Sequence, residues 1–297
     1  MSVLAGNLSS AVYRHSGMKN LAIIVVLSLA AAACGGASDT SSPTTQAPSS
    51  WDRNPATPLV IVENFGGFLP VEVALGQMPE IVVYGDGAVV TQGPVIAIFP
   101  GPALPNLVAG QFDDDAMQAI LDKAASSGVL SPLDDYGTAS VADAGTTRIT
   151  VTVGGETRTV EIYALGLGSF GGEQSGFTAE QATARQGALA FIDFLRELAD
   201  GTPSAEYEVT AYAVFPWPFG GVPTESPVLD WPFAPLAELG SVEGFGTCVT
   251  IEGKDADQLQ DLLGQATTRT PWTSEGVAYG LVFRPLLRHE SSCDELR

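Results

Sequence analysis

Residues 80–91 read Glu80-Ile-Val-Val-Tyr84-Gly85-Asp86-Gly87-Ala88-Val-Val-Thr91, two β-branched runs on either side of an Asp-Gly. Such side chains suit a pleated, half-buried surface, and Asp-Gly supplies the positive φ that a tight hairpin turn needs. The stretch predicts two antiparallel strands. Before it, Leu59-Val-Ile-Val62 predicts a further strand, and after it Val95-Ile-Ala-Ile-Phe99 predicts another. Then the period changes. Met117, Ile120, Leu121 and Ala124 recur at helical spacing behind Asp113, with Asp114 and Asp115 in the first turn and Gly128 as the stop. A second hairpin pairs Thr147–Val153 with Thr157–Tyr163 around Gly154-Gly155. A last helix begins at Thr178, with Gln181 three places on as a capping box. Ala188, Phe191, Ile192, Leu195 and Leu198 form its apolar stripe, and Gly201 ends it.

Beyond residue 206 a smaller set of elements follows, which does not resemble the first half. Strand-like Tyr207–Phe215 leads into a stretch rich in proline and aromatic residues as far as Pro235. Thr247–Ile251 predicts a strand, Asp255–Thr267 a helix, and Val277–Phe283 a closing strand. Strands, helix, strands, helix describe an α+β fold, with antiparallel sheets and hairpins packed against a few helices. The expected plan is an α+β domain over 57–202 and a smaller α+β domain over 206–297.

The N-terminus carries the address. Lys19 precedes an apolar run from Leu21 to Ala33, followed by Cys34-Gly35-Gly36. Thirteen residues at 1.5 Å each span about 20 Å, too short for a hydrocarbon core of about 30 Å. A charged start, a short apolar core and small residues at the cut predict a signal peptide over 1–33. Met18-Lys19 begins a compact signal by itself, so 1–17 is read as a start-site artefact. The junction resembles the lipobox of bacterial lipoproteins, whose cysteine is acylated by palmitate-like chains before cleavage; Ala31 stands where leucine is usual, with Leu29 two places earlier. The expectation is a lipid anchor on Cys34, a flexible linker to residue 56, and a fold held at the cell membrane on its extracytoplasmic side.

Cysteine arithmetic agrees with that address. Three cysteines are an odd number for an exported protein. With Cys34 lipidated, Cys248 and Cys293 remain as a pair that an oxidising compartment allows to bridge. Closing a loop of about 46 residues restricts the unfolded chain by about 4 kcal/mol.

Charge excludes some partners. The chain carries 13 Lys+Arg against 34 Asp+Glu, a formal net charge of -21. Phosphate backbones are repelled by such a balance, so no nucleic acid is expected as a partner. Hydrophobic residues at 45% are enough for a packed core.

No catalytic residue, cofactor or metal is assigned by motif. The one histidine after Cys34 is His289, in a charged tail, and a nucleophile needs a base beside it. Zinc prefers histidine and cysteine ligands, which are scarce here, and no Asp-x-Asp-x-Asp-Gly loop offers calcium its oxygens. Asp113-Asp114-Asp115 is already explained by helix capping. Acid pairs such as Asp134-Asp135 or Glu206 and Glu208 raise a carboxylate-dependent hydrolase of envelope polymer as the alternative function, since two carboxylates can do glycosidase chemistry if they face each other. The main expectation is a surface-tethered, non-enzymatic binding or interaction module, whose partner is an envelope protein or a glycan. Trp217-Pro218-Phe219 and Trp231-Pro232-Phe233 are the most unusual segments. Either their rings cover the second core, or Trp217, Phe219, Trp231 and Phe233 form a proline-stiffened aromatic platform for a partner.

Several of these stretches together carry a resemblance. The run from Met78-Pro79 to Gly87, the following helix, Asp143–Val153, Gly154–Tyr163, and the ending from Tyr279 to Cys293 with Arg284-Pro285-Leu286-Leu287 resemble a family of uncharacterised exported lipoproteins from high-GC bacteria. The resemblance implies an exported α+β domain and carries over no catalytic residue.

Overall fold

The hairpin at Asp86-Gly87 lies at the centre of a seven-stranded antiparallel sheet. The computed structural model describes residues 50–167, 176–219, 227–239, 241–242 and 246–296. Cys34, the apolar run before it and most of the linker lie outside these residues. In chain order the sheet-forming strands are β1 (Pro58–Gly66), β2 (Ile81–Tyr84), β3 (Ala88–Gln92), β4 (Leu107–Gln111), β5 (Gly145–Val153), β6 (Glu156–Tyr163) and β7 (Ser204–Glu206). Their spatial order is β6-β5-β1-β2-β3-β4-β7. Two helices pack on them, α2 (Asp114–Ser126) and α3 (Ala179–Asp200), while the short α1 (Val71–Leu75) packs on the second sheet through Leu75.

Alternation decides which face each helix covers. Val60, Val62, Ile81, Val83 and Val89 point to one side and pack on Met117, Ile120 and Leu121 of α2 and on Ala188, Phe191 and Leu195 of α3. Val82, Tyr84, Ala88 and Val90 point to the other side, where they meet Tyr207 and Leu287. Both expected caps form. The Asp113 carboxylate accepts from the Ala116 N–H at 2.8 Å, and Thr178 and Gln181 make the reciprocal capping box. The helices approach closely at Gly187, where a Cβ would stand 2.1 Å from the Ser127 carbonyl oxygen, so any side chain there separates α2 from α3.

The second sheet contains β8 (Ala211–Pro218), β9 (Leu229–Asp230), β12 (Val249–Glu252), β13 (Trp272–Ser274) and β14 (Val277–Pro285), in the order β12-β8-β14-β13-β9. A two-residue pair, β10 (Ser241–Val242) and β11 (Gly246–Thr247), stands apart. All pairings in the five-stranded sheet are antiparallel except β9 with β13. One face packs Tyr212, Val214, Leu281 and Phe283 on α4 (Lys254–Leu263), with Trp231 and Trp272 closing the core. The other face gathers Ala213, Phe215, Leu286 and Leu296 around a Cys248–Cys293 disulfide, whose Cα atoms are 6.2 Å apart. The fold is α+β, antiparallel sheets against helices, and the disulfide is the expected one.

Three elements differ from the sequence reading. Val95–Phe99 is not a strand; residues 93–106 leave β3 as an irregular loop and the chain re-enters the sheet as β4. Pro94, Pro100, Pro102 and Pro105 remove the N–H groups that a ladder needs. The helix expected over 255–267 ends at Leu263 with Gly264 as its cap, and the Ala266 carbonyl accepts instead from the N–H of Ala103 at 3.2 Å. The strand expected over 207–215 begins at Ala211 and runs to Pro218 in the second sheet, and Ser204–Glu206 just before it complete the first sheet. The described residues constitute one compact unit, and the 93–106 loop spans both sheets: it begins on β3, and its Ala103 and Leu104 pack on the second core.

Candidate binding site

The loop is pinned at both its base and its crest. At the base the Gly93 N–H donates to the Asn106 carbonyl at 2.8 Å, and the Asn106 amide donates to Pro94 O at 3.0 Å. At the crest Pro102 bridges to Thr267, and the Thr268 N–H donates to Gly101 O at 2.9 Å. Close ends and a packed far side are the marks of an Ω-loop.

Under this loop opens a cleft of about 580 Å³, within the ordinary range for ligand pockets. Leu281, Val282 and Phe283 of β14, with Trp217 of β8, line it; Val73 and Gly76 of α1 and its C-cap form one wall, and Val95, Ile96, Ala103 and Leu104 the other. Trp217 lies flat on Gly280, where a Cβ would come within 2.6 Å of the indole, so the glycine allows the ring its place. Among the described residues, Glu72, Asn106 and Thr268 are the polar side chains on the lining, and no lysine or arginine is among them. A lining of this composition favours the burial of apolar surface.

The charge-dense part of the molecule is elsewhere. A cavity of about 420 Å³ brings Glu63, Arg148, Arg284, His289, Glu290 and Glu295 together between β1, β5 and the C-terminal tail. Each charge there has a partner. Arg284 makes a two-pronged pair with Glu290 at 2.9 and 2.7 Å, with both side chains about one-tenth exposed, and its Nε donates to Gln77 O. Arg148 donates to Glu63 and Glu161. His289 Nδ1 and the Tyr84 hydroxyl share a hydrogen bond of 3.0 Å. Burial holds the imidazole below its ordinary value of 6.5 and pushes the Tyr84 phenol up. The His289–Tyr84 bond and Arg288 on Asp86 at 3.1 Å fasten the tail to the first sheet, while the Arg284–Glu290 pair ties the tail to the end of β14.

The other residues singled out from sequence do not converge. Asp113 caps α2, and Asp114 pairs with Arg53 at 2.8 Å. Asp135 accepts from Gly137 and Gln181. Glu206 is in β7, and Glu208 follows on the way to β8. Among the described residues no group of three His, Cys, Asp or Glu side chains is placed to hold a metal ion.

The four aromatic residues divide between two environments. Trp231 is 7% exposed in the second core, its Nε1 donating to Ala234 O at 2.9 Å, with Phe233 edge-on at 4.9 Å and Trp272 at 6.2 Å. Its ring is closed to any partner, which corrects the expectation of a single platform containing both indoles. Trp217 is half-buried on the cleft, and Phe219 continues its strand with an N–H to Ala278 O. Burial of Trp231 follows from the Trp231–Thr273 backbone bond, which places its segment beside β13.

Sequence reasoning missed the site as a whole. Its lining comes from a misassigned strand, a five-residue helix and the middle of β14. The available signal was the density of proline and glycine between Gly93 and Pro105, which marks a loop, and the apolar character of that loop, which is unusual. Among the described residues no helix is long and apolar enough to cross a membrane. No family model, curated protein or solved structure matches the chain.

Proposed function

We propose that the protein is a lipoprotein of the extracytoplasmic face, anchored through Cys34, whose fold is a non-enzymatic binding module for an uncharged apolar chain. The observation that carries the binding half is the cleft beneath the 93–106 loop, lined mainly by apolar side chains and, among the described residues, by no lysine or arginine. The anchoring half is supported by the apolar run ending at Cys34 and by a cysteine count that leaves Cys34 outside the Cys248–Cys293 pair.

Two measurements test it separately. Mass spectrometry of the mature N-terminus should show an acylated Cys34, and an unmodified peptide running through residue 34 defeats the anchor. Titration with the neutral apolar dye diphenylhexatriene should give a saturable rise in fluorescence. Val73→Asp combined with Val95→Asp should abolish that rise with little change in melting temperature, because both side chains are exposed on the cleft walls. Unchanged dye binding in that variant removes the cleft from consideration.

A further inference from the structure

Five large apolar side chains outside the cleft lining are exposed beside it. Phe99 is 83% exposed and Ile98 59% at the tip of the 93–106 loop, while Phe68 is 88%, Leu69 43% and Val71 70% exposed at the turn into α1. Val95 and Ile96 on one wall and Val73 on the other connect these two groups across the mouth of the cleft. Exposed apolar surface of this kind marks an interaction site.

We propose that this rim dips into the face of a neutral lipid bilayer, so that the cleft loads its apolar chain from the membrane and not from water. The inference rests on the reading of Cys34 as the anchor and of the cleft as an apolar-chain site. Three observations favour a bilayer over a folded partner. Side chains this exposed stand clear of their neighbours, and a deformable medium accepts them without a preformed hole for each. The nearby cation is Arg269, its guanidinium 5.8 Å from the Phe99 ring, long enough to lie along apolar surface while its head stays at the lipid headgroups. With a net charge of -21 the chain is repelled by anionic lipid, so a zwitterionic surface is the one that fits.

The tether allows the orientation. The described chain begins at Ser50, and the Trp51 indole donates to Gly85 O at the β2–β3 turn, whereas the 93–106 loop leaves the opposite end of β3. Five residues of β3 cover about 17 Å. The roughly 17 residues from Cys34 to Ser50 reach about 56 Å extended and about 23 Å as a flexible coil. An anchored molecule therefore has enough chain to turn its loop toward the membrane. An uncharged apolar chain also resides in the bilayer and hardly in water, so a mouth that opens there meets its ligand.

The test uses the full chain, anchor included, with phosphatidylcholine vesicles. A polarity-sensitive nitrobenzoxadiazole label on Ile98→Cys should shift to the blue and be quenched several-fold more by brominated acyl chains than the same label on Ser126→Cys of α2. Equal quenching at the two positions, or a chain that does not float with the vesicles, overturns the proposal. In parallel, Ile98→Asp with Phe99→Asp should slow transfer of diphenylhexatriene from vesicles to protein by about tenfold or more, leaving uptake from vesicle-free solution unchanged. Unchanged transfer rates also overturn it, as does a stable dimer in vesicle-free solution that this double variant dissolves. If the dye fails to bind the wild-type chain in water, the cleft reading falls, and the label at position 98 still decides membrane contact.

Discussion

The charged cavity at the C-terminal tail and the apolar cleft under the 93–106 loop both adjoin β14, yet they are opposite in character. In the first, Arg284, Glu290, Arg148, Glu63, His289 and Tyr84 all have close partners from the protein itself. In the second, valine, isoleucine and leucine side chains line an open volume and five further apolar side chains flank its mouth exposed. A dense group of ionisable side chains attracts attention as a site, but when every member is satisfied it holds two parts of the fold together. Apolar groups left without neighbours are the ones with free energy still to gain on binding.

That contrast can be broken most severely at the core behind the cleft. Trp231→Ala removes a ring packed against Trp272 and Phe233 and should lower stability by about 3–5 kcal/mol; a melting curve close to wild type would show that the ring is not in the core. Reducing the disulfide, or replacing Cys248 and Cys293 by serine, should cost about 4 kcal/mol. Denaturant midpoints with and without reductant measure that cost, and equal midpoints would mean that the pair is unbridged in solution.

On the charged side, Arg284→Ala should destabilise the fold by about 3 kcal/mol, because it leaves Glu290 buried without its partner. Arg284→Met combined with Glu290→Leu should recover most of that loss, since the pair ties the tail to the end of β14 and a well-packed apolar pair can do the same. A double variant as unstable as the single one would argue that the charges are needed individually. On the apolar side Trp217→Ala should weaken diphenylhexatriene binding by about tenfold and shift the melting temperature far less than Trp231→Ala. If the two tryptophan variants melt alike, the division of the aromatic residues between core and cleft is wrong.

How much of this was legible in the sequence depends on whether the deciding information was local. The hairpins at Asp86-Gly87 and Gly154-Gly155, the Asp113 cap and the Thr178–Gln181 capping box are set by neighbours within a few residues, and each appears where the sequence predicts it. Val95–Phe99 has the composition of a strand, but Pro94 and Pro100 on either side deny it a ladder and tertiary contacts at Thr267 and Thr268 hold the loop instead. Trp217 and Trp231 look identical in sequence, each followed by Pro-Phe. They separate only because one is on a strand facing the cleft and the other beside β13 under α4, a difference of long-range pairing. The cleft itself joins α1, the loop and β14, with Glu72 and Phe283 at opposite ends of the chain's folded part, so no local pattern contains it.

The smallest effect expected is a pH dependence from His289, and it sharpens the comparison because it belongs to the charged cavity alone. Burial lowers the imidazole's affinity for a proton, opposed by Glu290, Glu295 and Glu63 and reinforced by Arg284. Tyr84 shares its hydrogen bond, and Arg288 lies over the Tyr84 ring at 5.3 Å. In the unfolded chain His289 protonates near 6.5, whereas the folded chain resists until a lower pH. Between those values the unfolded state binds more protons, so stability falls as the pH drops below about 6.5 and this contribution is flat above it. His289→Gln, which can still bond to Tyr84, should remove the slope between pH 6.5 and the onset of carboxylate titration. Urea midpoints taken at intervals over that window read it directly. Dye binding in the cleft should stay constant across the same window, since no histidine lines it. A cleft affinity that follows His289 would mean that the tail and the cleft are coupled through β14, and the separation of a fastening region from a binding region would have to be given up.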